Sequence, residues 1–367
     1  MKRRGQRGIA LVLVTWVFMI LGVLAFDFAR YMRDDAMAAV NFADETHGYY
    51  IALAGMNRAI FDAERQMEDS PAGTPRQAAN APNTRQAANP PDIDPDEDTE
   101  PLVPPDGQWH EGDFAGGRWS VRMVDEGGRI SLNRITGQEA LLKRIVSNLI
   151  QGGDPTAGVD RRESNAIDTV VDSILDWRDP DDLKRGHGAE SDYYMKRRPP
   201  YTAKNGYFDS PEELLLVRGM TADLFYGHDD VPGLRDVVSS YSKSRKLNVR
   251  TTSAAVLQVL LGTDPKTAED LITQRDGGGS ILEQIQGMLT AIDPKLVDTV
   301  GDFAPRVVTI EGRGDLADKR NQSRVAVVAD LSSDASQGAR ILRWLDRAPW
   351  SGPLPSTGKA PAEDDES

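Results

Sequence analysis

The densest chemistry in the sequence lies in Asp168-Thr-Val-Val-Asp-Ser-Ile-Leu-Asp-Trp-Arg-Asp-Pro-Asp-Asp-Leu, followed by Gly188-Ala-Glu-Ser-Asp-Tyr-Tyr, Pro199-Pro-Tyr and Lys204-Asn-Gly-Tyr-Phe-Asp-Ser-Pro-Glu-Glu-Leu. Carboxylates and tyrosines concentrate just past the end of a helical run. Asp179, Asp181, Glu190 and Asp192 offer clustered hard oxygen donors on a loop stiffened by Pro180, the donor type a hard divalent cation selects. Asp176 and Asp182 are substitutes. No strict EF-hand spacing is present, so the pattern supplies donors without a geometry. The competing reading gives these carboxylates helix ends to cap, or Lys184, Arg185, Lys196 and Arg197 to pair with.

Other chemistries find little support. Gly-x-Ser-x-Gly is absent, and His47, His110, His187 and His228 are scattered without His-Glu-x-x-His spacing. Gly277-Gly-Gly-Ser lacks the Lys-Ser/Thr of a phosphate loop and reads as a link between helices. There is no cysteine, which excludes disulfides, thiolate metal sites and cysteine nucleophiles. With 43 basic and 57 acidic residues the net charge is −14, a poor match for a polyanion.

The elements that must carry the acidic loop begin at a membrane-like terminus. Lys2, Arg3, Arg4 and Arg7 precede an uncharged stretch, Ile9 to Phe26, that as helix covers roughly 27 Å, about one hydrocarbon core. The basic end is expected to stay cytoplasmic. The Arg7-Gly8 step lies before the apolar run, opposite to an ordinary secretory signal. It resembles the class III leader of type IV pilins and pseudopilins, which implies cleavage after Gly8 by a prepilin peptidase and methylation of Ile9. A plain membrane anchor is the simpler alternative. Most such proteins carry Glu as the fifth mature residue; this chain has Leu13.

No proline occurs before Pro71, so the helix is expected to run on towards Met67, with Ile51, Leu53, Ala54, Met56, Ala59, Ile60 and Phe61 as a mixed stripe against a globular head. Residues 69–107, rich in Pro, Ala, Asn, Gln and Asp and repeating Arg-Gln-Ala-Ala-Asn, read as a disordered loop. Gly117 to Asp125 and Gly128 to Asn133 alternate around Glu126-Gly127 like a hairpin. Alternation returns in Arg306 to Arg313, Ser323 to Leu331 and Arg340 to Asp346, giving one antiparallel sheet. Between these strands the period is helical, as in Leu141, Leu142, Ile145, Val146, Leu149 and Ile150, with a capping box expected at Thr136 and Glu139. Ser210 to Met220, with Pro211 at a helix start, and Leu247 to Gly262 resemble helix-hairpin-helix or SAM-like modules.

Together, Asp176-Trp177-x-Asp179-x-Asp181-Asp182, Gly188-Ala189-Glu190-x-Asp192-Tyr193-Tyr194 and Glu212 to Gly219, with the leader, the region Asp125 to Asn133 and the Asn248 module, resemble the minor pseudopilin K family of type II secretion systems. The resemblance covers nearly the whole chain. It implies an α+β fold: a transmembrane and long helix, then a pilin-like antiparallel sheet head interrupted by a large helical insertion. The ranges that follow are leader 1–8, transmembrane helix 9–26, amphipathic continuation 27–68, loop 69–107, head 108–135, insertion 136–300 with two SAM-like modules, head 301–347 and acidic tail 348–367. It also implies structural calcium, a non-enzymatic role at the pseudopilus tip with minor pseudopilins I and J, and a single-pass inner-membrane location with the bulk periplasmic. The lack of Glu at Leu13 fits that family. The alternative function is a membrane-anchored DNA-binding or uptake protein gripping nucleic acid through the modules near Arg218 and Arg250, with Glu212, Glu213, Asp223, Asp229 and Asp230 opposing it.

Overall fold

The computed structural model describes residues 7–68, 102–135, 137–152, 160–228, 231–316, 319–332 and 338–346. Residues 1–6 of the expected leader, most of the expected loop at 69–107, the expected acidic tail and Thr136 of the expected capping box lie outside them.

Helix α1 (Arg7–Glu68) is unbroken for 62 residues, about 93 Å at the usual rise. Residues 11–43 are exposed along its whole circumference. This is the one helix among the described residues long and apolar enough to cross a membrane. From Gly48 onward one face is buried. Its stripe is Ala52, Met56, Ala59 and Ala63, spaced four, three and four, flanked by the buried Ile51. Leu53 and Ile60 are only partly covered, and Phe61 stands in solvent. The small residues of the stripe bring the helix close to what it covers.

That cover is a five-stranded antiparallel sheet, ordered β1 (Asp106–Phe114), β2 (Gly117–Asp125), β9 (Val307–Leu316), β10 (Lys319–Asp330) and β11 (Arg340–Asp346). Val121 and Met123, Val308 and Ile310, and Val325, Val327 and Ala329 alternate towards α1. The three late strands match the alternation in the sequence. The early hairpin does not: β2 turns back onto β1 through Ala115-Gly116, both at positive φ, the pair a tight antiparallel turn requires. At its other end the chain does not reverse, because the Asp125 carboxylate accepts from the Gly127 amide and caps a 3-10 turn, Glu126–Gly128. Strand β1 occupies the end of the expected loop, and just before it Val103 is anchored to α1: its amide donates to Asp62 and its carbonyl accepts from Gln66.

Between β2 and β9 the chain builds a second apolar cluster. It draws on α2 (Glu139–Ile150), α3 (Arg161–Arg178), α7 (Ala254–Leu261), α8 (Pro265–Asp276) and α9 (Leu282–Ile292), with short pieces at α4 (Ser191–Tyr194), α5 (Ala222–Tyr226) and α6 (Leu234–Val237). Two-residue bridges tie it: β3 (Ile130–Ser131) to β6 (Val238–Ser239), β4 (Gly227–His228) to β5 (Val231–Pro232), and β7 (Leu247–Asn248) to β8 (Val300–Gly301). Ile130, Leu132 and Ile135 pack in this cluster, so the sheet is left at Asp125. Pro211–Leu216 forms a 3-10 turn where an α-helix was expected, and Ser210 makes no side-chain cap there.

The two clusters meet in a polar junction. Asn248 donates to the Asp125 carboxylate at 2.8 Å and to the Phe303 carbonyl at 2.8 Å, and the Thr251 hydroxyl donates to Asp125 at 2.6 Å. Glu126 accepts from Thr309 on β9 and from Ser239 in the insertion. Burial pushes the Asp125 pKa above its ordinary value despite these bonds. Asn248→Ala, which unpairs part of a buried carboxylate, is expected to cost about 2–3 kcal/mol in urea unfolding. A loss below about 0.5 kcal/mol would mean that the junction is not buried in solution.

Candidate cation site

Helix α3 brings the acidic loop into place. Its N-terminus is closed by a capping box of Asp160 and Glu163, and its apolar face, Ile167, Val170, Val171 and Ile174, sits in the second cluster. That fixes Asp176 and Trp177 at the last turn, both buried. Trp177 is held edge-on by Tyr194 and Tyr201, and Tyr194 stacks on Tyr201. These aromatics anchor the far side of the loop, and Lys204 closes it by bridging Asp209 and Glu213 at 2.6 and 2.7 Å.

Asp176 is the hub. Both of its oxygens accept from the Arg185 amide, and Oδ1 accepts from the Arg185 guanidinium at 2.7 Å. The same Nη1 donates to Asp179 at 2.5 Å. Gly188 lies so close that a Cβ there would stand 1.9 Å from Asp176 Oδ2. Asp181 accepts from the Leu183 amide, and Asp182 accepts from the Asn205 side chain at 2.8 Å.

Glu190 is the anomaly. It is 3% exposed, and neither carboxylate oxygen has a partner. Asp179 Oδ1 and Asn205 Oδ1 are likewise buried and unpartnered. Burial, reinforced by Asp176, Asp179, Asp182 and Asp181, pushes the Glu190 pKa up to about 7, so the fold disfavours its ionised form. Native structures rarely leave such oxygens unsatisfied.

Of the four ligands expected from sequence, Asp179, Asp181 and Glu190 are gathered here, joined by Asp176 and Asp182. Asp192 is not: on α4 it points to solvent and faces Lys196 at 3.9 Å. Arg185 and Lys196 therefore take two of the pairing roles, while Arg197 lies over the Tyr193 ring. Among the described residues no three acidic or histidine side chains converge at ligand spacing. The unpartnered oxygens of Glu190, Asp179 and Asn205 are of the hard type a divalent cation selects, and such an ion held there would neutralise the charge that raises Glu190. Asn205 and the central role of Arg185 were missed in the sequence; Asn205-Gly206 was legible as a turn, and Asn205 has φ 48°.

The other expected sites can also be placed. Gly8 and Ile9 lie in the first turns of α1, with side chains outside the described residues. Helices α7 and α8 form a pair joined at Gly262, which ends α7 in the left-handed conformation. Arg250, before the start of α7, is paired with Asp302 at 2.7 Å. Arg218 donates to the Gly188 carbonyl at 2.9 Å and lies over Tyr193. Both cations proposed for a phosphate backbone are engaged within the protein.

Comparison with known proteins follows the same region. Residues 132–226 match the family model described as "Type II secretion system (T2SS), protein K". The chain is 25% identical over 361 residues to type II secretion system protein K of Pseudomonas aeruginosa, covering 97% of each. It is 42% identical over 57 residues to the protein K of Aeromonas hydrophila, 15% of this chain and 17% of that one. A chain in the crystal structure of the GspK-GspI-GspJ complex from enterotoxigenic Escherichia coli superposes with TM-score 0.47 at 14% identity, covering 66% of this chain and 84% of that one.

Proposed function

Because the chain belongs to the protein K family of type II secretion systems, we propose that it is a non-enzymatic minor pseudopilin that caps the pseudopilus tip with minor pseudopilins I and J, initiates assembly and supports export across the outer membrane. The observation that carries this reading is α1: one helix leaves residues 11–43 exposed, apolar and uncharged through Phe26, and docks its later turns on the sheet. So much bare apolar surface needs lipid or neighbouring helices around it. In this reading residues 9–26 first hold the inner membrane, with the basic end cytoplasmic and the head periplasmic, and then join the helical core of the filament. Leu13 supplies no carboxylate for a neighbour's terminal amine, which suits a subunit with nothing above it. Calcium held at the acidic loop stiffens the insertion.

The test is co-purification of the full-length chain with minor pseudopilins I and J from the same genome, in detergent and calcium, read by mass. A stoichiometric complex is expected. A chain indifferent to both proteins but retarded on duplex DNA in a salt-dependent way would replace this reading with the nucleic-acid one. The leader has its own check. Gly8→Glu should block prepilin peptidase, leaving the membrane form at unprocessed mass; normal cleavage would refute the class III leader.

A further inference from the structure

We propose that the acidic segment Glu363 to Glu366 folds back onto a cluster of arginines on the outer face of the sheet, so that the chain covers its own open surface. Neither the cation nor the secretion partners enter into it.

The face of the sheet turned away from α1 has two halves. The half near Asp125 and Asp330 is taken by the insertion: Glu126 joins Thr309 to Ser239, Lys243 pairs with Asp330, and Arg343 donates to the Tyr241 hydroxyl at 2.9 Å. The other half is rich in arginine. Register aligns Glu111, Ser120, Arg313 and Arg324 in one row across β1, β2, β9 and β10, with Arg122 and Glu311 in the next. Trp109 lies opposite Arg122, and the guanidinium carbons of Arg122 and Arg313 stand 5.2 and 3.5 Å from its ring centroid. Arg122 pairs with Glu311 at 2.9 Å. Arg313 and Arg324 are direct cross-strand partners, and like charges so placed destabilise a sheet. Burial, with Arg324 and Arg122 beside it, pulls the Arg313 pKa down to about 10, although Glu311 and Asp315 act the other way. A further anion on this row would relieve the repulsion. The chain supplies one at the adjoining edge. Asp346 ends β11 opposite Val325, one residue from Arg324. Glu363, the first of four consecutive acids, comes 17 residues after it. An extended chain of that length spans about 55 Å, whereas the two strand spacings from β10 to β2 amount to about 10 Å. A tethered ligand acts at high effective concentration, so weak charge pairing on a partly exposed surface is enough to seat it.

The sequence has no cysteine, so thiol pairs can be introduced without background. In the experiment the full-length chain in detergent carries Ser367→Cys together with Glu111→Cys, at the β1 end of the row, or with the exposed Glu283→Cys on α9 as reference. Intrachain disulfide formation under mild oxidant is followed by gel mobility and mass, in dilute salt and in about 0.5 M sodium chloride, which screens exposed charges. The Glu111 pair is expected to close at least about tenfold faster than the Glu283 pair in dilute salt, and to lose that lead in high salt. Neutralising the tail with Glu363→Gln, Asp364→Asn, Asp365→Asn and Glu366→Gln should abolish the lead, and Arg313→Gln with Arg324→Gln should do the same. The tail substitutions leave the sheet untouched, so their outcome decides even if the arginine variant fails to fold. Equal rates for the two pairs, or a lead that survives the neutral tail, would overturn the proposal. Disulfides formed between two chains in place of one would also overturn it, by giving the row to a second copy's tail.

Discussion

Glu190→Gln is expected to raise the melting temperature of the metal-free chain and to erase its gain on adding calcium. An ionised carboxylate with no hydrogen bond and almost no water is among the costliest groups a fold can hold. The amide has nearly the same shape and carries no charge, so the repulsion from Asp176, Asp179, Asp181 and Asp182 disappears. Removing the charge is expected to return about 1–3 kcal/mol, the scale set by a pKa raised from 4.5 to about 7. In an insertion of this size that corresponds to several degrees. The same substitution removes an anionic donor from the cation, so the calcium-dependent rise expected of wild type should vanish. Scanning calorimetry with chelator and with calcium reads both effects. A variant that melts lower in chelator would show that Glu190 has a stabilising partner in solution, and one that keeps the calcium gain would remove Glu190 from the site.

The second large effect lies where α1 crosses the sheet. A Cβ on Gly314 of β9 would stand 1.9 Å from the Gly48 carbonyl oxygen and 2.6 Å from the Ala52 amide nitrogen. Both are helix backbone, so no rotamer change relieves the clash. Gly314→Ala is expected to lift α1 from β9 at a cost of about 3 kcal/mol or more, the upper range for overpacking. Limited proteolysis should then cut near residue 48, and urea unfolding should begin earlier. Gly287 in α9 is the control, since nothing lies within 4 Å of its added Cβ. Gly287→Ala should stabilise by about 0.5–1 kcal/mol through helix propensity alone. Equal behaviour of the two alanines would mean that α1 does not pack on β9 as described.

What was legible in the sequence was what depends on local pattern. The uninterrupted α1 followed from the absence of proline before Pro71, and β9, β10 and β11 from their alternation. Pairing was not legible, because alternation identifies a strand without naming its neighbour. Strand β2 therefore looked like half of a local hairpin, while its partners are β1 and the distant β9. Strand β1, Asp-Gly-Gln-Trp-His-Glu-Gly-Asp-Phe, has too few apolar residues to signal itself beside a proline-rich stretch. In the acidic loop, residue type was visible and direction was not. Asp192 is two positions from Glu190, yet the turn of α4 sends it outward while Glu190 is buried. Arg185 was visible only as one of four cations within reach of the carboxylates; its selection by Asp176 depends on the loop doubling back along α3.

The same long-range pairing governs the order in which the molecule forms. Asp125 lies opposite Val308 in the central ladder, so β2 and β9 meet only when the whole segment 126–306 has brought its ends together. For an unstructured segment of that length, closure alone costs roughly 4–5 kcal/mol of chain entropy. A folded insertion has already spent it, because its own bridges join residue 130 to 238 and residue 247 to 300. The β2–β9 pairing is thus expected to be a late event in folding. Pulse-labelled hydrogen exchange should protect the amides of α3 and α7 before those of β2 and β9.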